Sequence, residues 1–165
     1  MLEITSQSAY WLLPLALPIC LWVIYTDLKD MKIRNKAVVA LLALYAVVGF
    51  IALPFDAYLW RYAHFAVVLV AGFLLSLTGT FGAGDAKFAA VMALFVAMPD
   101  MGKVMILLSV ALIVAFILHR VARRVGVIRR MTPTWTSWDA AKFPMGTALG
   151  STLAIYLALG AVYGA

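Results

Sequence analysis

Residues 86–98, Ala86-Lys87-Phe88-Ala89-Ala90-Val91-Met92-Ala93-Leu94-Phe95-Val96-Ala97-Met98, form an apolar run whose reading decides the topology of this chain. A helix needs roughly 17–25 residues to cross a bilayer core. This run is shorter, so it reads as a compact crossing, a re-entrant segment or a helix buried among neighbours. Five further runs, at about 9–26, 37–54, 62–78, 104–118 and 143–162, read as full spans. Backbone groups in lipid must pair within their own segment, so spans of this kind are helices.

Charge decides the status of the fourth run. If it crosses, Lys29, Lys32, Arg34, Lys36, Lys87, Arg120, Arg123, Arg124, Arg129, Arg130 and Lys142 share one side, and only Arg61 and Lys103 lie opposite. If it does not cross, the basic residues split six to seven. Basic residues concentrate in cytoplasmic loops. The first arrangement predicts an all-α, polytopic membrane protein: a bundle of six transmembrane helices with both termini outside. Its cytoplasmic connections are 27–36, 81–85 and 120–142.

Composition agrees with this class. Of 165 residues, 66% are hydrophobic and 12% charged, against roughly 45–50% and 25% in soluble domains. The polar stretches are too short to build a second core, so residues 1–165 are expected to form one integral membrane domain. Glu3 and no Lys or Arg precede the first run, the wrong opening for a cleavable signal peptide. Cys20 is the only cysteine, which excludes an internal disulfide framework or a cysteine-based zinc site. His64 and His119 fall at opposite ends of their spans, where interfacial hydrogen bonding is expected and a shared metal site is not. The net charge of +6 lies between spans, so it reads as a topology signal and not as a nucleic-acid surface. The connection 120–142, with Trp135 and Trp138, is expected to lie on an anionic cytoplasmic leaflet.

Asp27 closes the first span and Asp85 opens the fourth, and the parity of crossings returns both to one face of the membrane. Intramembrane acids are costly and mark function. Two carboxylates held together share a proton, leaving one as acid and the other as base. That pair can hydrolyse a peptide without a metal or cofactor. By helix polarity, Asp85 at a positive N-terminus is expected to be the base and Asp27 near a negative C-terminus the acid. Asp30 rivals Asp27 from the same helical face, though pairing with Lys29, Lys32 or Arg34 suits it better. Asp139 reads as solvated or capping. In Gly82-Ala83-Gly84-Asp85 the two glycines permit close approach and unusual backbone angles. Gly146 and Gly150 form a GxxxG pair suited to helix packing.

Three stretches together resemble the type IV prepilin peptidase family: Asp27-Leu28-Lys29-Asp30-Met31-Lys32-Ile33-Arg34-Asn35, Gly82-Ala83-Gly84-Asp85-Ala86-Lys87 and Pro144-Met145-Gly146. The form most similar is the short peptidase of tight-adherence (Flp-type) pilus systems. The resemblance implies a GxGD aspartic endopeptidase of the bacterial inner membrane, cutting a prepilin leader (basic leader plus apolar helix) on the cytoplasmic side. It implies Asp27 and Asp85 as the catalytic pair, with Gly82, Gly84, Lys87, Asn35, Pro144 and Gly146 as supporting motif positions, no metal and no cofactor. Its partners would be the prepilin, the lipid bilayer and the pilus assembly machinery. Where the family has Ile-Pro-Asn this chain has Ile33-Arg34-Asn35, so the rigid turn of a proline is missing. The paired CxxC motifs of bifunctional relatives that also methylate are missing too, so methyl transfer is not implied. The competing readings are a broader GxGD protease cutting within helices and a small proton-coupled transporter using both acids as a relay. The transporter should carry half-repeats with midplane acids, a pattern the sequence does not display.

Overall fold

The computed structural model describes residues 1–79 and 81–165. Among them the regular structure is helical: α1 (Ser6–Asp30), α2 (Asn35–Ala52), α3 (Phe55–Leu77), α4 (Ala83–Ala93), α5 (Met101–Ala122), the short α6 (Gly126–Met131) and α7 (Met145–Tyr163). Five helices, α1, α2, α3, α5 (with the preceding turn from Met98) and α7, are long and apolar enough to cross a membrane. The outer faces of α3 and α5 carry exposed Val67, Val70, Leu77, Ile106 and Ile113, an apolar surface that only lipid would cover. Helix α7 is the most enclosed of the five, packed against α1 and α5.

Small residues set the closest approaches. A Cβ at Gly150 would lie 3.0 Å from Ile24 Cγ1 and 3.1 Å from the Cys20 carbonyl, so this glycine lets α7 sit against α1. Gly72 does the same for α3 against α4, where Ala86 Cβ would be 3.0 Å away.

The fourth run is the unusual element. As an 11-residue helix, α4 reaches only about 16 Å at roughly 1.5 Å per residue, and it is not among the five. The stretch 83–100 nevertheless runs the length of the bundle. It begins at Asp85, beside the C-terminal turn of α1, and ends at Asp100, whose Oδ2 accepts the N–H groups of Glu3 (2.8 Å) and Ile4 (3.1 Å) ahead of α1. After Ala93 the helix gives way to turns, which gain more length per residue but leave backbone groups without helical partners. Arg61 Nη1 donates to the carbonyls of Leu94 and Phe95, both at 3.2 Å. The Ala97 N–H donates to Tyr156 Oη (3.2 Å), whose O–H donates to Asp100 Oδ2 (3.0 Å). Asp100 is fully buried and also accepts from Lys103 Nζ at 2.9 Å. Arg61, expected as a loop charge, is thus a buried donor that completes a broken helix.

Both termini meet at this end. The Ala165 N–H donates to the carbonyls of Leu2 and Ile4, and the Ser6 N–H donates to that of Ala165. Within α2, a π-helical segment at Tyr45–Gly49 turns buried Tyr45 onto Tyr58, with ring centroids 5.4 Å apart.

The connection 120–142 does not simply lie along a surface. Trp138 is buried, stacked on His119 (5.1 Å) and Trp135 (5.5 Å), and donates from Nε1 to Thr132, while Thr136 Oγ1 donates to the Lys29 carbonyl. The histidines also differ from expectation. Among the described residues, neither ring nitrogen of His64 and not Nε2 of His119 has a hydrogen-bond partner; His119 is held by stacking instead.

Candidate active site

Asp27 occupies the last full turn of α1 and is 4% exposed. The helix ends just beyond it, where Met31 adopts a left-handed φ of 53° and donates its N–H to the Asp27 carbonyl at 2.9 Å. This turn sends the chain through Ile33 and Arg34 into α2. Arg34 has a φ of −71°, within the range that proline imposes, so the backbone keeps the shape without the ring.

Asp85 stands three residues after Gly82, the N-cap of α4, and its carboxylate hydrogen bonds back to the Gly82 backbone. An acid at the third helical position reaching back to the cap satisfies a donor that the helix leaves open. A Cβ on Gly82 would come 2.5 Å from Asp85 Oδ2, so the glycine clears space for the carboxylate. Unusual backbone angles are not the reason: Gly82 has a φ of −73°, and Gly79 is the only described glycine with positive φ. Gly84 leaves α4 in ordinary contact with Ile33.

Helix α7 contributes Gly146, a motif position whose contact with Asp27 the sequence did not reveal. Pro144 caps it without a side-chain hydrogen bond, and the Gly146 N–H of its first turn has no backbone acceptor. The Gly146 N–H donates to Asp27 Oδ2 at 2.6 Å. A Cβ at Gly146 would meet Asp27 Oδ2 at 2.9 Å and Ile33 Cδ1 at 3.0 Å. Gly146 is therefore part of the carboxylate's seat, while Gly150, one turn on, is the packing glycine. A positive helix end aimed at Asp27 favours its anion, a field that α1 by itself does not supply.

Two open cavities share Asp27, Met31, Gly82 and Asp85 as walls. One, about 410 Å³, is polar, with Lys32, Arg34, Asn35 and Lys87 around it. Lys87 Nζ donates to Asn35 Oδ1 across it at 3.4 Å and makes no salt bridge with Asp85. The other, about 420 Å³, is lined by Leu112, Phe143 and Met145, with Lys142 at its rim. Lys142 was legible only as a topology charge; its neighbour Pro144 was the available clue.

Asp30 faces elsewhere, ion-paired with Arg34 on an exposed surface and absent from both cavities. Asp139 pairs with Arg129 at 3.0 Å. Among the described residues no cluster of three His, Cys, Asp or Glu side chains could hold a metal.

The sequence model described as the type IV leader peptidase family matches residues 15–119, a stretch that contains Asp27 and Asp85 and stops before Pro144. No curated protein and no solved structure matches the chain.

Proposed function

The chain belongs to the type IV leader peptidase family, and on that footing we propose that it is an aspartic endopeptidase removing the leader from Flp-type prepilins, with Asp27 and Asp85 as its catalytic pair. The observation that carries this reading is two carboxylates from separate helices lining the same open cavities. By the positive-inside rule, a crossing through 83–100 and termini outside put the pair at the cytoplasmic face of the inner membrane.

The two carboxyls share one proton, which belongs to the pair. The Gly146 N–H at Asp27 Oδ2 is a donor that α1 alone does not supply, so the polarity of α1 and α4 does not by itself divide the roles. The ionised carboxyl takes a proton from water as the water oxygen bonds to the scissile carbonyl carbon, and its protonated partner protonates the carbonyl oxygen. The C–N bond then breaks. The proton taken from water passes to the leaving amine, and a hydroxyl proton of the tetrahedral adduct returns to the partner carboxyl. The apolar cavity beside Leu112, Phe143 and Met145 suits the apolar helix that follows a prepilin leader.

The test is co-expression of a candidate prepilin with wild type, Asp27→Asn, Asp85→Asn and Asp30→Asn, following leader removal by gel mobility. Processing is expected to disappear in the first two variants and persist in the third. Processing by Asp85→Asn would defeat the mechanism, and its loss in Asp30→Asn alone would move the first catalytic position.

A further inference from the structure

A third cavity, of about 510 Å³, lies at the same end of the bundle as the acids but on the other side of Lys142 and Phe143, which wall both it and the apolar dyad cavity. Arg120, Arg123 and Arg124 from the C-terminal end of α5 converge on it with Arg129 and Lys142. Asp139 is the one carboxylate paired with any of these five cations among the described residues. Lys142 donates to the Gly79 carbonyl and Arg120 lies over the Phe116 ring, but the guanidinium groups of Arg123 and Arg124 have no hydrogen bond or ion pair among the described residues. Such a concentration of like charge is self-repelling unless an anion sits within it.

The surroundings define that anion. Phe116, His119 and Phe143 give the cavity an apolar wall. His119 also borders a second, almost wholly apolar groove of about 280 Å³ between α1 and α5, lined by Ile24, Leu28, Leu118 and Trp135. Leu118 and neighbouring Ile117 and Val121 face outward on a helix whose exterior is lipid-facing. A basic cavity at the membrane rim that shares His119 as a wall with an apolar groove matches a molecule with a phosphate head and acyl tails. We propose that this site binds an anionic phospholipid, its phosphate among Arg120, Arg123 and Arg124 and an acyl chain along the α1–α5 groove. Bound there, the lipid offsets positive charge at the rim of the dyad cavity through Lys142.

The experiment uses the full chain in nanodiscs of phosphatidylcholine with or without phosphatidylglycerol, transferred to detergent and washed, with retained lipid counted by native mass spectrometry. Wild type is expected to retain phosphatidylglycerol and release phosphatidylcholine. R123Q/R124Q is expected to lose retention about 30-fold, at roughly a factor of five per basic residue, with unchanged helical circular dichroism. K32Q/K36Q, which removes equal charge from two residues that border neither the basic cavity nor the apolar groove, should retain as wild type does. Inorganic phosphate at matched headgroup concentration should not displace the lipid. Equal retention of both lipids by wild type would overturn the proposal without recourse to any variant. Equal loss in the two double variants, which would mean diffuse surface charge, would overturn it as well. Displacement by inorganic phosphate would do so in favour of a soluble anion.

Discussion

Replacing Gly146 by alanine tests whether α7 is part of the catalytic machinery or only of the packing. The added Cβ would lie 2.9 Å from Asp27 Oδ2 and 3.0 Å from its Cγ. The carboxyl is the mobile end of its side chain, so it is the group that yields, and the 2.6 Å hydrogen bond from the Gly146 N–H breaks as it moves away. A hydrogen bond to a charged group is worth roughly 1.5–3 kcal/mol, which at about 1.4 kcal/mol per decade predicts a fall of about 10- to 150-fold in kcat/KM. Gly150→Ala is the matched control. Its Cβ would press on Ile24 and the Cys20 backbone, far from either carboxylate, so its effect belongs to stability and not to the chemical step. Prepilin processing in proteoliposomes, measured beside thermal unfolding of both variants, separates the two. Wild-type processing by Gly146→Ala would refute the seat assigned to Asp27, as would two variants whose activity losses simply track their loss of stability.

Three other outcomes follow from the geometry. Two carboxyls that share one proton act only in the singly protonated state of the pair, so the wild-type processing rate should pass through a maximum with pH and fall on both the acid and the alkaline side; a rate that levels off at either extreme would contradict the shared-proton mechanism. Arg34→Pro should leave processing intact and stabilise by about 0.4–1 kcal/mol, because φ is already −71° and its exposed ion pair with Asp30 contributes little; a loss of processing would give the Arg34 side chain a role at the polar cavity. Asp100→Ala leaves the N–H groups of Glu3 and Ile4 and the hydroxyl of Tyr156 without their acceptor, so denaturation should show a loss of about 3 kcal/mol or more, and the fraction that remains folded should cut more slowly because the far anchor of the stretch carrying Asp85 is gone; wild-type cutting by that fraction would refute the anchor.

The helical class and the long spans were legible because apolar runs of sufficient length leave the backbone no alternative in lipid. Asp27 and Asp85 were legible as a pair because parity of crossings needs only a count of spans. What stayed hidden depends on contacts between segments remote in sequence. The Pro144-Met145-Gly146 stretch marked Gly146 as a motif position without saying what it touches; Gly146 and Gly150 are both small residues on one face of one helix, and only the arrival of Asp27 at the first and Ile24 at the second gives them different tasks. Arg61 read as a loop charge because its acceptors, the Leu94 and Phe95 carbonyls, become free only once α4 stops at Ala93. Asp100, next to Pro99 at the end of an apolar run, carried no motif to single it out.

The short fourth helix and the buried polar cluster at its far end are two parts of one arrangement. Asp85 must hold its height and its rotation about α4 to face Asp27, and a slip of one residue would turn it by about 100° and move it about 1.5 Å. A long, uniformly apolar helix resists such slips poorly, because lipid-facing and core-facing residues are alike. Here the stretch is pinned at both ends: Gly72 against Ala86 near the acid, and Asp100 held by Glu3, Ile4 and Tyr156 at the opposite end. Arg61 closes the break between them by binding the two carbonyls that a regular helix would have used. The register is thus set by directional hydrogen bonds instead of by side-chain packing alone. That leaves the Asp85 end free to be built from glycine and open to water, as the proposed hydrolysis there requires.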